Sequence, residues 1–157
     1  MRYGWNTFRI RRATRQNNYP AISETAAALN IARKTETRFL IVHLGMAINQ
    51  APDHDNGPKA AMHSLKKSHN LKSAVGLDLA LTIILNRRSS PASLIRFFEQ
   101  DSNLTGIRLC FDRWHACLIG DLIDEIEIAS EHMTMTHLND NLGSLDEHLV
   151  PSDGKVC

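Results

Sequence analysis

Between residues 90 and 138 the apolar and polar positions change period twice. Ser90-Pro91-Ala92-Ser93-Leu94-Ile95-Arg96-Phe97-Phe98 opens with a serine N-cap and a proline in the first turn, the start signals of a helix. Leu104, Ile107, Phe111, Trp114 and Leu118 then fall at steps of three and four, which predicts a second helix with one face committed to a core. From Ile123 the period becomes two: Ile123, Glu125, Glu127 and Ala129 alternate with Asp124, Ile126 and Ile128. After Ser130-Glu131 the run His132-Met133-Thr134-Met135-Thr136-His137-Leu138 follows. Ile126 and Ile128 opposing Met133 and Met135 predicts a hairpin with one buried face. The competing reading is a continuous helix over 121–130, striped by Leu122, Ile126 and Ala129. Helix, turn, helix, hairpin is the order of a winged helix-turn-helix.

Upstream, residues 1–20 read as a basic arm closed by Pro20, with Trp5, Phe8 and Ile10 able to dock on a core. Ser23 is a candidate N-cap for a helix running to about Ala51, striped by Ala28, Ile31, Thr35, Phe39, Val42 and Met46. Within it Phe39-Leu40-Ile41-Val42 is apolar all round, so this part is expected to be buried on several sides, as in a dimerisation helix. Two prolines and an Asn-Gly pair make 52–58 a loop. Two further helices are expected over 59–70 and 73–88, the latter carrying Val75, Leu77, Leu79, Leu81, Ile83, Ile84 and Leu85. The expected fold class is therefore mainly α with a small β-hairpin. It divides into an arm (1–20), a helical dimerisation region (21–72), a winged-helix domain (73–150) and a tail (151–157). A helix-turn-helix over 23–40, with Ala26, Asn30 and Ile31 at its turn, is a second placement for a DNA surface.

Composition changes this picture little. The chain has 157 residues, 43% hydrophobic and 22% charged, ordinary for a folded soluble domain. It holds no run of 18 apolar residues, its first 20 residues show no apolar core of a secretory signal, and a cytosolic location is expected. Cys110, Cys117 and Cys157 have no metal-ligand spacing and fit a reducing compartment. Charge is more informative. The net +1 conceals 15 Lys/Arg against 5 Asp/Glu up to Phe98, and 3 against 12 from Glu99 onward. Such a split points to an anionic partner for the basic part, or to one half of a molecule facing the other half of its mate.

The residues 90–94, then Phe111-Asp112-Arg113-Trp114-His115-Ala116-Cys117-Leu118-Ile119, then Met133-Thr134-Met135-Thr136 leading into Leu142-Gly143-Ser144-Leu145, resemble the winged helix of the multiple-antibiotic-resistance regulator (MarR) group over about residues 75–149. The resemblance implies a homodimeric, DNA-binding transcriptional regulator and no enzyme. Asn103, Thr105, Arg108 and Arg113 on the second helix, with Arg87, Arg88 and Arg96, are the candidate contacts to double-stranded DNA. The turn Glu99-Gln100-Asp101-Ser102 and an acidic wing depart from that group's pattern, and leave a protein-interaction module on the same fold as an alternative. His63-Ser64-Leu65-Lys66 has the form of a phosphotransfer site, although Lys67 stands where a small residue is needed. No metal or cofactor is expected: His132 and His137 are five apart, and no Cys or carboxylate lies at ligand spacing from them.

Overall fold

A four- to six-residue apolar run rich in β-branched side chains suits a strand buried on both faces as well as it suits a buried helix. In the computed structural model such runs are strands. The structure describes residues 7–10, 18–35, 37–45, 57–73, 76–86, 88–143 and 147–155. Strands β1 (Thr7–Ile10), β2 (Phe39–Leu44), β3 (Asp78–Thr82), β4 (Arg108–Asp112) and β5 (Met133–His137) form one sheet in chain order, with every neighbouring pair parallel. Helices α1 (Asn18–Ala32), α2 (Pro58–Ser73), α3 (Pro91–Glu99), α4 (Arg113–Ile119) and α5 (Leu122–Ala129) lie in the connections, with a short 3-10 turn at Ser102–Leu104.

The two faces of the sheet differ in what covers them. Leu40, Val42 and Leu44, then Leu79, Leu81 and Ile83, then Leu109 and Phe111, pack with Ala28, Leu29, Ala61, Leu65, Leu94, Phe97, Phe98, Ala116 and Ala129 of the helices. The alternate residues Ile41, Ala80, Cys110 and Met135, with Phe39 against them, form a second cluster to which no described helix contributes. Parallel strands in sequential order, joined by crossovers of one hand, put all helices on the first face. The second face is therefore an inner wall of strand side chains.

This overturns the mainly α, winged-helix expectation element by element. The helix read over 23–51 ends at Ala32, and its apolar centre is β2. The helix read over 73–88 is β3. The predicted recognition helix is a 3-10 turn followed by β4, because Ile107, Leu109 and Phe111 all pack toward the helical layer while Cys110 faces the other way. The first arm of the predicted wing is α5. The Asp121 carboxylate accepts from the Ile123 and Asp124 amides, and Leu122, Ile126 and Ala129 pack on the core while Ile123 and Ile128 point to solvent. The continuous-helix alternative thus holds for this segment. The helix start at Ser90 is as read, with the Ser90 hydroxyl accepting from the Ser93 amide and Pro91 in the first turn. Most of the 52–58 loop, and Arg87, lie outside the described residues.

Leu81 is fully buried at the middle of the sheet's helical face. Leu81→Ala is expected to lower stability by about 2–5 kcal/mol in urea unfolding, with an unchanged denaturant slope. A loss under about 1 kcal/mol would contradict this packing.

Candidate active site

In a parallel sheet every strand ends on the same side, so side chains at the C-terminal ends are brought together however far apart they lie in sequence. Here that end carries His43 on β2, Thr82 on β3, Asp112 on β4 and His137 on β5. The register pairs His43 with Thr82 and Asp112 with His137. Asp112 is 2% exposed and joins three elements. Its Oδ1 accepts from the His115 backbone N–H at 3.0 Å, capping α4, and lies 3.3 Å from His115 Nδ1. Its Oδ2 lies 3.3 Å from His137 Nδ1.

His115 Nδ1 is also 2.9 Å from the Ile83 carbonyl. A carbonyl only accepts, so Nδ1 carries the proton and Nε2 is the basic nitrogen of the neutral ring. The His148 ring packs edge-on against that imidazole, 5.9 Å between centroids. Burial by itself raises the pKa of Asp112; hydrogen bonds from His115 and His137 outweigh it and hold the carboxyl well below the usual range. His137 is pushed up to about 10, chiefly by its hydrogen bond to Asp112 and next by Cys110 beneath it, against the opposing effect of burial. It is a cation at neutral pH.

The segment after β5 folds back over this end of the sheet. The Asp140 carboxylate accepts from the Asn141 amide at 2.8 Å and the Ser152 amide at 3.0 Å, which with the Gly154 amide and the Arg113 charge keeps it ionised. Asp140 and Leu149 exchange backbone hydrogen bonds, and Lys155 N–H donates to the Asn141 carbonyl. Gly154 lies so close that a Cβ there would sit 2.5 Å from backbone atoms of Asn141. The hydroxyls of Thr82 and Ser89, Trp114 Nε1 and Asn139 Oδ1 are buried with no hydrogen-bond partner. In native proteins such atoms call for a water or a polar ligand.

The residues expected to read DNA do not form one surface. Asn103 and Thr105 are exposed in the turn before β4, and the Thr105 carbonyl lies 2.9 Å from His69 Nε2. Arg108 opens β4, at the opposite end of that strand from Asp112. Arg96 is exposed on α3 and Arg88 in the loop after β3. Arg113 is at the site, half-buried, its Nη1 3.4 Å from the Asn139 carbonyl. Asp112, His115 and His137 were missed as a group. The available signal was three polar residues ending or following apolar strand runs, which is legible only once the runs are read as strands. His63 is exposed on α2.

No protein-family profile matches the chain. It is 23% identical over 130 residues to an uncharacterized protein of Methanocaldococcus jannaschii, covering 82% of the chain and 50% of that protein. Among solved structures it is similar to a D-tagatose 3-epimerase-like protein (TM-score 0.75, 20% identity, 92% of this chain and 57% of that one). It is similar also to the 3-keto-D-glucoside 4-epimerase of E. coli (TM-score 0.73, 13% identity, 98% and 60%). A third is the IolI protein, solved with a zinc atom (TM-score 0.72, 14% identity, 96% and 58%). The chain thus spans half to three-fifths of the length of these proteins. The likeness shows a shared fold, parallel strands in chain order with helices in the connections, and a further neighbour, from Mycobacterium smegmatis, is described as a xylose isomerase-like TIM barrel protein (TM-score 0.64, 9% identity, 82% of this chain and 47% of that one). The winged-helix resemblance is therefore corrected. With it fall the DNA-binding regulator, the interaction module on that fold, the phosphotransfer role of His63 and the exclusion of enzymes.

The zinc of that neighbour raises the question of a cation here. Among the described residues no three His, Cys, Asp or Glu side chains converge to hold one, and both oxygens of Asp112 are already engaged by the two histidines. These residues do not by themselves fit a metal cage. Among them, also, no helix is long and apolar enough to cross a membrane.

Two outcomes test this geometry. The raised His137 pKa favours the fold fully below its unfolded value of 6.5, and this contribution is lost as pH rises through about 10; the lowered Asp112 pKa favours it above 3.8, and that contribution is lost on acidification. The pair is thus intact across the neutral range. An NMR titration should place the His137 midpoint near 10, and Asp112→Asn should return it toward 6.5; an unchanged midpoint would refute the pairing. Gly154→Ala should open the clasp and speed amide exchange at Asn141 and Ser152 by about tenfold or more, with the sheet amides unaffected.

Proposed function

We propose that this chain is part of a TIM-barrel enzyme that isomerises or epimerises a small polyhydroxylated carbonyl compound by proton transfer next to the carbonyl. The observation that carries this reading is a buried carboxylate held between two imidazoles at the C-terminal end of the sheet, where enzymes of this fold do their chemistry. The neighbours named as epimerases lend the substrate class. A C–H bond beside a carbonyl is acidic only if the oxygen is stabilised as charge develops on it. His137, cationic and oriented by Asp112, supplies that stabilisation and a proton. His115, its ring oriented by the Ile83 carbonyl and Asp112, serves as the base. The proton leaves carbon for His115, the C–H electron pair becomes the enediol double bond, and the carbonyl oxygen is protonated by His137. In the second half an enediol hydroxyl gives a proton back to His137 as a carbonyl re-forms, and His115 returns its proton to the neighbouring carbon in an isomerisation, or to the other face of the same carbon in an epimerisation once the enediol has turned in the site. The unpartnered groups of Thr82 and Asn139 suit hydroxyls of the substrate.

The test is deuterium uptake from D2O by a panel of ketoses and aldoses, read by NMR, with the full natural protein. Exchange at the carbon beside the carbonyl is expected with at least one sugar, falling by about 10²–10⁴-fold in His137→Gln. No exchange with any sugar, or exchange indifferent to that substitution, would overturn the proposal.

A further inference from the structure

The charge split has a spatial form that the catalytic reading does not use. On α5 and its ends, Asp121, Asp124, Glu127 and Glu131 are exposed, and at helical spacing they share one outward face with Ile123 and Ile128, 62% and 45% exposed. Leu118, at the end of α4, is 46% exposed. The outward face of α2 is the converse. Lys59, His63 and Lys67 are exposed on a helix with no acidic residue, while Lys66 is paired with Asp101. Next to α2, the end of α1 adds Arg33, Lys34 and Ile31, the last 53% exposed. The sequential strand order sets α3 between α2 and α5 in the helical layer, so one outer surface carries a basic face, a divider bearing Arg96, and an acidic face.

We infer that this helical surface is a dimer interface: α5 of one copy lies on α1 and α2 of a second copy of the chain, and the reverse, with α3 near a two-fold axis. Exposed isoleucine accompanies both charges, Ile123 and Ile128 beside the carboxylates and Ile31 beside Arg33 and Lys34, and would be buried between copies. Because the two faces flank a common divider, one two-fold rotation matches both contacts at once and closes the assembly. The surface is the outer side of the helical layer, away from the strand ends, so its success or failure is separate from that of the catalytic proposal. The complementarity consists of solvent-exposed charges, so it is sensitive to salt.

Sedimentation of the full chain tests this. A dimer is expected at low salt, its dissociation constant weakening by about tenfold or more at high salt. Asp124→Lys with Glu127→Lys should be monomeric at concentrations where the wild type is dimeric, and so should Lys59→Glu with Lys67→Glu, each with an unchanged far-ultraviolet circular dichroism spectrum. Mixing the two variants should restore a one-to-one dimer, since each then meets its complement on both faces. A wild type monomeric at low salt, a variant that dimerises as the wild type does, or a mixture that stays monomeric would overturn the inference. A fold lost in one variant leaves the salt dependence of the wild type and the second variant to decide it.

Discussion

The end of the sheet depends on one carboxylate. Asp112 caps α4 through one oxygen and meets the His137 ring through the other, so it ties the last residue of β4 to the helix that follows it and to the end of the neighbouring strand. A buried carboxylate is tolerated only when its charge is compensated and its lone pairs are used. Both conditions are met here by groups whose positions the backbone already sets: an amide in the first turn of a helix, and an imidazole at an adjacent register position. The strand arrangement thus makes the charge affordable, and the charge in turn orients both imidazoles.

That reciprocity extends outward. His115 is oriented from two sides, by Asp112 and by the Ile83 carbonyl at the end of β3, and His148 closes over it from the segment beyond β5. The segment can reach there because Asp140 gathers the amides of Asn141, Ser152 and Gly154 into a tight return, which a side chain at Gly154 would prevent. The site is therefore built on three consecutive strand ends and roofed by a loop whose shape is set by a second carboxylate. Preorganisation of this kind is what proton transfer at carbon requires, because the donors and acceptors must be in place before charge develops.

How much of this could be read in the chain follows from local physics. The start of α3 was legible because a serine cap and a first-turn proline act within four residues. The helix over residues 59–70 was legible for a similar reason, being polar and amphipathic. The strands were not. Phe39-Leu40-Ile41-Val42 is buried on both faces, one by helices and one by the inner wall, and a segment with no polar face has no period to reveal. In the segment that became β4, strand residues and those of the following helix gave three- and four-residue steps by coincidence. The alternation read as a hairpin failed because Ile128, half of the supposed apolar face, is exposed, while Ala129 of the opposite phase is fully buried. The candidate site was illegible for the same cause. Asp112, His115 and His137 lie together only because β4 and β5 are parallel neighbours, and parallel pairing is a long-range property that no local spacing encodes.

The two exposed isoleucines therefore carry two lessons that are the same lesson. Ile128 breaks the strand reading, since an alternating pattern assumes that its apolar face is inside, and on α5 and its ends both isoleucines sit among four exposed carboxylates. The charge asymmetry of the chain points to an anionic partner for the basic part, or to one half of a molecule facing the other half of its mate. Among the described residues, exposed cations of the first half stand just after α1 (Arg33, Lys34), on α2 (Lys59, Lys66, Lys67) and on α3 (Arg96), and exposed carboxylates of the second half gather on α5 and its ends, one helix further round the same layer. A linear imbalance of charge becomes, once the strands are laid in order, a pattern across a single surface, and that pattern complements a copy of itself.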